Sequence, residues 1–555
     1  MTKRPYLTLT ILILVLVLIA VAMQFTPGWF QEAGINPPAT EYSRAQGDTT
    51  KIEVPCSNEH PEWRKSQVID GVDIVEAPFC EPDNPYDIAA SVKGTNNISM
   101  ATLMQSNLAE DALVMGDDVD HDGDPDVIHI KLEVVEFNGA SPDGNYLINT
   151  YDIAPGIQPG LWAFAPKSSG MALKNFSSRE ARPFLRAPSP TIRVEQGDKV
   201  YITLENTHYL PHTIHLHGVD HAFVNSKGED NDGMEMHPVF PGKSHTYEIQ
   251  PRHTGTMLYH CHVQTAQHMM MGLSGIFVIE ENQPNNWVQT FNVGAGQVRH
   301  PSVAVKKTYN QEYDLLYQSI DKRLASTIQS ATDPRLVAKH MGRDYNITES
   351  FENYFLLNGH SFPYTLRDSM IVVGDNEAIK IRIANVQQSE VAIHFHGHKA
   401  TITAMDGVDL ASGQQVTRDV FDIAVAQRID LNLKTSNDGL HSYGPGLWMF
   451  HDHVLTGTTT DGLEPGGNMA ILAYKPLIDE QGMPKMHDQM LAEVFDKDYY
   501  AKKQAPWQQS DYASSFGDAG LISPDVKKLV IFGLLIGLIA GLLIVLIMVR
   551  RKRQE

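Results

Sequence analysis

At 555 residues, 42% of them hydrophobic, the chain is long enough for two or three domains with full cores. It carries 44 Lys and Arg against 66 Asp and Glu, a formal net charge of -22. That balance argues against nucleic acid or an anionic membrane surface as a partner and favours cationic ones.

Residues 1–27 read as a signal or anchor: an apolar run from Tyr6 to Met23 follows Thr2-Lys3-Arg4-Pro5, and Ala20-Val21-Ala22 offers a signal-peptidase site. A cleaved signal and an uncleaved anchor are both open. Residues 28–126 are Pro- and Asp-rich with little periodicity and read as an N-terminal extracytoplasmic region. Cys56 and Cys80 fall within it and can form a disulfide in an oxidising compartment. The run Asp118-x-Asp120-x-Asp122-Gly123-Asp124-x-Asp126 places alternating carboxylates around a Gly turn, as a calcium loop does. His129 stands where an EF-hand has its bidentate Glu, and a solvated acidic turn is the other reading.

An internal repeat organises roughly the next 350 residues. Gly197-Asp198 opens Val200-Tyr-Ile-Thr-Leu-Glu-Asn206, which leads 18 residues on to His215; Gly374-Asp375 opens Ile379-Lys-Ile-Arg-Ile-Ala-Asn385, which leads 20 residues on to His394. Later, Gly255-Thr-Met-Leu-Tyr-His260 matches Gly446-Leu-Trp-Met-Phe-His451. Short alternating strands between Gly, Pro and Asn turns predict an all-β chain with two β-sandwich domains, residues 127–283 and 306–477, joined by a linker at 284–305. Residues 320–342 read as a helical insertion after the first strand of the second domain.

Residues 478–526 look like a tether. Leu529 to Val549 is 21 residues without a charge, long enough to span a membrane, and Arg550-Arg551-Lys552-Arg553 follows it within a basic tail, 550–555. The positive-inside rule puts both tails in the cytoplasm and the domains between them on the extracytoplasmic side of the cell membrane. Gly533, Gly537 and Gly541 give the span a small-residue face suited to helix packing, or simply reflect how common Gly is in membrane helices. Asn97, Asn175 and Asn346 begin glycosylation sequons.

Four His-x-His pairs carry the chemistry: His215/His217, His260/His262, His394/His396 and His451/His453. In a strand the two imidazoles of each pair lie on one side and the residue between them on the other. Cys261 therefore points away from His260 and His262, and His212, three residues before His215, points away from that pair. A thiolate with two imidazoles is the ligand set of a blue-copper centre, so one copper belongs on one face of the sheet and a cluster on the other. Zinc sites close with three or four ligands and would leave several of these eight imidazoles without a role. His221, His237, His245, His253 and His398 lie outside the pattern and read as surface or supporting residues.

The run His212-Thr-Ile-His215-Leu-His217-Gly218, with His260-Cys261-His262 followed by His268, resembles the motifs of the multicopper oxidases over roughly residues 127 to 477. The resemblance implies two cupredoxin-like Greek-key sandwiches. It implies that His212, Cys261 and His268 hold a type 1 copper, His215 and His394 a type 2 copper, and His217, His260, His262, His396, His451 and His453 a type 3 pair, four coppers per chain. Two departures stand out. Leu273, after Gly272, occupies the axial position where a Met is usual, with Met269, Met270 and Met271 nearby; and His268 lies two residues further from the Cys than in typical laccases. Asp232 resembles the acid that serves the cluster in laccases, with Asp220 as a second choice; either also reads as an ordinary turn Asp.

The second repeat lacks its own type 1 set, since Asp452 stands where Cys261 stands and Val391 where His212 stands. The implied activity is one-electron oxidation of a small reducing substrate, a phenol or a metal ion, coupled to reduction of O2 to water, in a homotrimer like those of similar two-domain oxidases. A copper nitrite reductase and a copper-sequestering protein are the alternatives. The former has no use for His451-Asp452-His453; the latter is suggested by Met234-x-Met236-His237 and the Met269–Met271 run, since thioethers suit Cu(I).

Overall fold

The computed structural model describes residues 108–169, 185–219, 222–229, 237–299 and 307–479, with short pieces at 66–69, 72–74, 106, 483–486, 494–495 and 497–501 and scattered helical positions between 535 and 551. The apolar run 6–23, Cys56, Cys80, Asn97, Asn175, Asp220, His221, Asp232, Met234, Met236 and Gly533 lie outside these residues. The chain divides into two compact units, residues 1–501 and 502–555. Of the second, only single helical positions and short runs are described, and among the described residues no helix is long and apolar enough to cross a membrane.

The first unit is mostly β. Its first sandwich pairs two sheets. One has the order β7-β5-β2-β1, from Ser244–Ile249 (β7), Lys199–Glu205 (β5), Val127–Phe137 (β2) and Leu113–Gly116 (β1), with Leu161–Pro166 (β3) also pairing β2. The other has the order β6-β8-β9-β4-β10: His215–Leu216, Gly255–His260, Ser274–Glu280, Thr191–Glu195 and Phe291–Asn292. Alternation drives the local choice of strand: in Lys-Val-Tyr-Ile-Thr-Leu-Glu of β5, Val200, Ile202 and Leu204 are buried and their neighbours are not.

The sandwich starts before residue 127. Strand β1 pairs β2 in the register Leu113↔Ile130 to Gly116↔Val127, so the acidic run 118–126 is the connection of a hairpin. Four residues are too few to show a period, which is why the sequence hides this strand.

The second sandwich repeats these pairings. Gln311–Ile320 (β11), Ala378–Asn385 (β13), Arg428–Lys434 (β17) and Ala400–Met405 (β15) form one sheet; the other runs β12-β19-β18-β14-β16, from Ile371–Val373, Ala470–Tyr474, Leu447–Asp452, Val391–Phe395 and Val420–Ile423. The parallel pairs β2/β5 and β4/β9 of the first sandwich recur as β11/β13 and β12/β19. The expected helical insertion is present as short helices at Lys322–Ala325, Thr327–Ser330 and Pro334–Lys339. Asp321 and Asp333 cap the first and third of these, and Leu324, Ile328 and Val337 pack into the first sandwich's core.

The two sandwiches stack in one direction. Leu258, Ile276 and Val278 on the second sheet meet Leu316, Ala384 and Val386 on the third. Buried charges flank this layer: Arg193 donates to Asp314 at 2.5 Å, and Arg382 reaches Glu280 at 3.1 Å and Asp430 at 3.0 Å. Removing one partner of such a buried pair costs about 3–5 kcal/mol, so the network resists sliding of one sandwich on the other. The start of the expected tether also folds back, with Ile478 and Val494 buried beside the fourth sheet's Ile471 and Ala473.

Candidate metal centre

Strand β8 sorts the site. Met257, Tyr259 and Cys261 enter the core of the first sandwich, whereas Thr256, Leu258 and His260 take the opposite face. Cys261 and its neighbour are thereby separated by a sheet's thickness without a break in the chain.

On the core side, His212, Cys261 and His268 bring their ligand atoms within 4.8 Å of one another, all fully buried. The Cys261 Sγ lies 3.7 Å from His212 Nδ1 and 3.3 Å from His268 Nδ1. His212 is placed by backbone bonds to Val239 in both directions. The residues that lengthen the loop before His268 are wound into a helix, Thr265–Met270, entered through Gln264 at φ 45°; that turn returns His268 to the thiol. Burial pushes the Cys261 thiol up to about 11 and, as the larger cause, drives the His212 and His268 imidazoles down, His268 to about 3. A soft cation that displaces the thiol proton suits this dry set of one sulfur and two neutral imidazoles.

Leu273 is fully buried in the same core, and its backbone brackets the site: its carbonyl accepts from Cys261 N at 3.0 Å and its N–H donates to His268 O at 3.1 Å. Met270 and Met271 share that core, but Met269 packs in the layer between the sandwiches, on the far side of the sheet from Cys261.

On the opposite face, β6 and β8 pair so that His215 stands across from His260, and His217 Nε2 lies 3.1 Å from His260 Nε2. The second sandwich copies this. His394 stands across from His451, and His396 Nε2 lies 3.1 Å from His451 Nε2. His260 and His451 each direct Nδ1 at the carbonyl of the next residue, at 3.0 and 2.8 Å, so each Nε2 carries the lone pair. His262 and His453 complete the two sets at the solvent edge. Burial first, then neighbouring imidazoles, depresses His217 to about 3 and lowers His394 and His396. Neutral imidazoles facing each other edge to edge are a fitting cradle for metal ions.

The two four-His sets do not meet within the chain. In β14, Val391, Ile393 and Phe395 fill the second sandwich's core, so His394 and His396 lie on the outer face of the fourth sheet. The first set lies on the outer face of the second sheet, so the whole second sandwich, two sheets about 10 Å apart, separates them. Asp452, at the position of Cys261 in the repeat, is buried and accepts from Ala392 N at 3.0 Å and Val454 N at 2.9 Å; it serves the backbone where Cys261 serves a site.

His398 is a support, its Nδ1 donating to His396 O and its Nε2 facing the Tyr474 and Ser442 hydroxyls; His237 and His253 are exposed. Nothing in the motif spacing warned of His208 and Glu136. His208 Nδ1 lies 2.9 Å from His212 Nε2, and Glu136 Oε2 takes contacts from His208 Nε2 at 3.3 Å, Tyr209 at 2.6 Å and Trp162 at 3.0 Å. Trp162 stands edge-on to His208, His212 and His268 alike. Extending the repeat two residues past Asn206 and Asn385 would have paired His208 with Gln387 and flagged it.

Two family models, both described as multicopper oxidase, match residues 186–284 and 336–463 and so take in every one of these metal-facing His and Cys residues. Over these two stretches the chain matches the multicopper oxidase family. A multicopper oxidase of Staphylococcus haemolyticus is 27% identical over 232 residues, 39% of this chain and 49% of that protein. The iron transport multicopper oxidase FET3 of Gibberella zeae is 25% identical over 255 residues, 45% of this chain and 35% of that protein. The chain thus spans about half the length or less of these curated multicopper oxidases. Among solved structures, the blue copper oxidase of Nitrosomonas europaea is 22% identical, with 69% of this chain and 93% of that one covered at a TM-score of 0.44.

Proposed function

We propose that the chain is a multicopper oxidase of the two-domain type, built from two cupredoxin domains. The first domain spans residues 127–283, extended to Leu108 by its added strand, and the second spans 306–477 after the linker 284–305. The observation that carries this reading is the sorting of ligands across β8: one Cys with two His in the core, and four-His sets on outer faces. His212, Cys261 and His268 hold the type 1 copper; His215 and His394 hold the type 2 copper, and the other six cluster imidazoles the type 3 pair. Copper in these sites supplies one-electron uptake from a small reducing substrate, phenol or metal ion, and the four-electron reduction of O2 to water. The protein fixes geometry and excludes water from Cys261. Because Cys261 lies between His260 and His262, the chain itself gives a short bonded path from one site to the other. Asp232, or failing it Asp220, is the proton donor in this reading.

The separation of the two four-His sets supports a homotrimer in which the second sandwich of one chain closes on the first sandwich of the next. Such a head-to-tail contact forms a ring when its rotation closes. We also assign the chain to the cell membrane, tethered by 529–549 with the domains on the extracytoplasmic side, and a calcium ion to Asp118, Asp120, Asp122, Asp124 and Asp126. The carboxylates of Asp118, Asp120 and Asp122 lie within 4.8 Å of one another, while Asp124 and Asp126 accept from the backbone N–H groups of Asn286 and Asp120, and a solvated acidic turn is the other reading.

Elemental analysis of the copper-loaded protein tests the central claim. About four coppers per chain with a blue absorption, and oxygen uptake on adding a reductant, are expected. Two coppers per chain would favour a nitrite reductase, and copper without oxygen uptake a storage protein.

A further inference from the structure

His212 presents Nδ1 to Cys261 Sγ, so the proton of its neutral ring sits on Nε2, 2.9 Å from His208 Nδ1. That contact needs one donor and one acceptor, and His208 Nδ1 must accept. The proton of the His208 ring then sits on Nε2, which faces Glu136 Oε2 at 3.3 Å. Each link thus has a donor and an acceptor, and the direction runs from His212 through His208 to a carboxylate. Tyr209 and Trp162 donate to the same oxygen and hold it in place. The backbone fixes His208 as well, since its N–H donates to Asn206 Oδ1 at 2.9 Å.

His212 and His268 differ sharply in this respect. His268 Nε2 is buried with no hydrogen-bond partner among the described residues. The internal repeat adds an independent comparison. Asn385 Oδ1 accepts from Gln387 N at 2.9 Å as Asn206 does from His208, so Gln387 is the twin of His208 in the sandwich that has Asp452 in place of the Cys. An imidazole stands at this position in the sandwich that holds the thiol and its two imidazoles, and an amide in the one without them.

We propose that His208 is a positioning residue for the Cys261 centre: by accepting from His212 Nε2, and being polarised by Glu136, it fixes the ligand's tautomer and raises its donor strength. A stronger donor favours the oxidised metal, so the chain His212–His208–Glu136 lowers the potential of the site. The inference rests on the copper reading above.

The test is a redox titration of the blue absorption in the copper-loaded full chain, for the wild type and three variants. His208→Ala should shift the potential upward, and Glu136→Gln should shift it in the same direction by less. His208→Gln should stay near the wild type, because its Oε1 can accept from His212 Nε2. An unchanged potential in His208→Ala, or His208→Gln moving as far as His208→Ala, would overturn the proposal. If His208→Ala does not load copper, the Glu136→Gln potential decides, and its equality with wild type overturns the proposal equally. A wild-type protein that takes up copper without a blue band would instead overturn the copper reading itself.

Discussion

Cys261 is the residue on which two sites depend, because its side chain enters one and its backbone joins the ligands of the other. Cys261→Ser removes the soft donor while keeping the shape, so the blue absorption and the turnover should vanish together while the eight imidazoles still take up copper. Retained blue colour in the purified variant would show that another sulfur serves the site. Leu273 closes the same pocket with a side chain that cannot coordinate. Leu273→Met offers a weak axial sulfur and should lower the potential in a redox titration. No shift would point to Met270 or Met271, which share this core, as an existing neighbour of the metal.

At the scale of elements, the end of β4 and the acidic hairpin between β1 and β2 form one electrostatic unit. Desolvation, more than the neighbouring carboxylates, pushes Glu195 up to about 9 and Asp198 up to about 7, against ordinary values of 4.5 and 3.8. The folded state therefore keeps protons that the unfolded chain has released. The stability these two groups contribute is full at acid pH and is lost as pH rises from the ordinary carboxylate range through 7 and on to 9. In metal-free protein the thermal midpoint should drop between about pH 5 and pH 8, corresponding to a loss of roughly a few kcal/mol. Millimolar calcium should flatten that slope if the hairpin takes a cation. A midpoint level across the range in chelator would show that these carboxylates are compensated in solution.

For the whole molecule, the order of the four sheets decides how the active unit is built. The buried ion pairs Arg193–Asp314 and Arg382–Glu280 hold the sandwiches in a stack that keeps the two four-His sets apart, and Asp430 steadies Arg382 from within its own sheet. On the proposed reading each set is completed by a neighbour, which predicts complementation between chains. His260→Ala and His451→Ala should each abolish oxygen reduction alone. Co-expressed, they should regain a fraction of it, since a first sandwich from one variant meets an intact second sandwich from the other. Co-expressed variants that stay inactive, together with an active wild-type monomer in light scattering, would place the whole cluster within one chain.

Much of the site was legible in the sequence because it rests on a local rule: alternation in a strand settles that His260 and Cys261 face opposite ways, and the repeat settles that His394 and His451 copy His215 and His260. The strand-rich class followed from the same periodicity. What the sequence could not show depends on contacts between residues far apart in the chain. Strand β1 is too short to carry a period and is defined by its partner. Glu136 meets His208 from 72 residues away. The loop before His268 looked too long until a helical turn took up its slack. The stacking of the second sheet on the third, which parts the two four-His sets, comes from apolar faces that only the packed chain brings together. Local sequence therefore determined which atoms can bind metal, and tertiary packing decided which of them share a site.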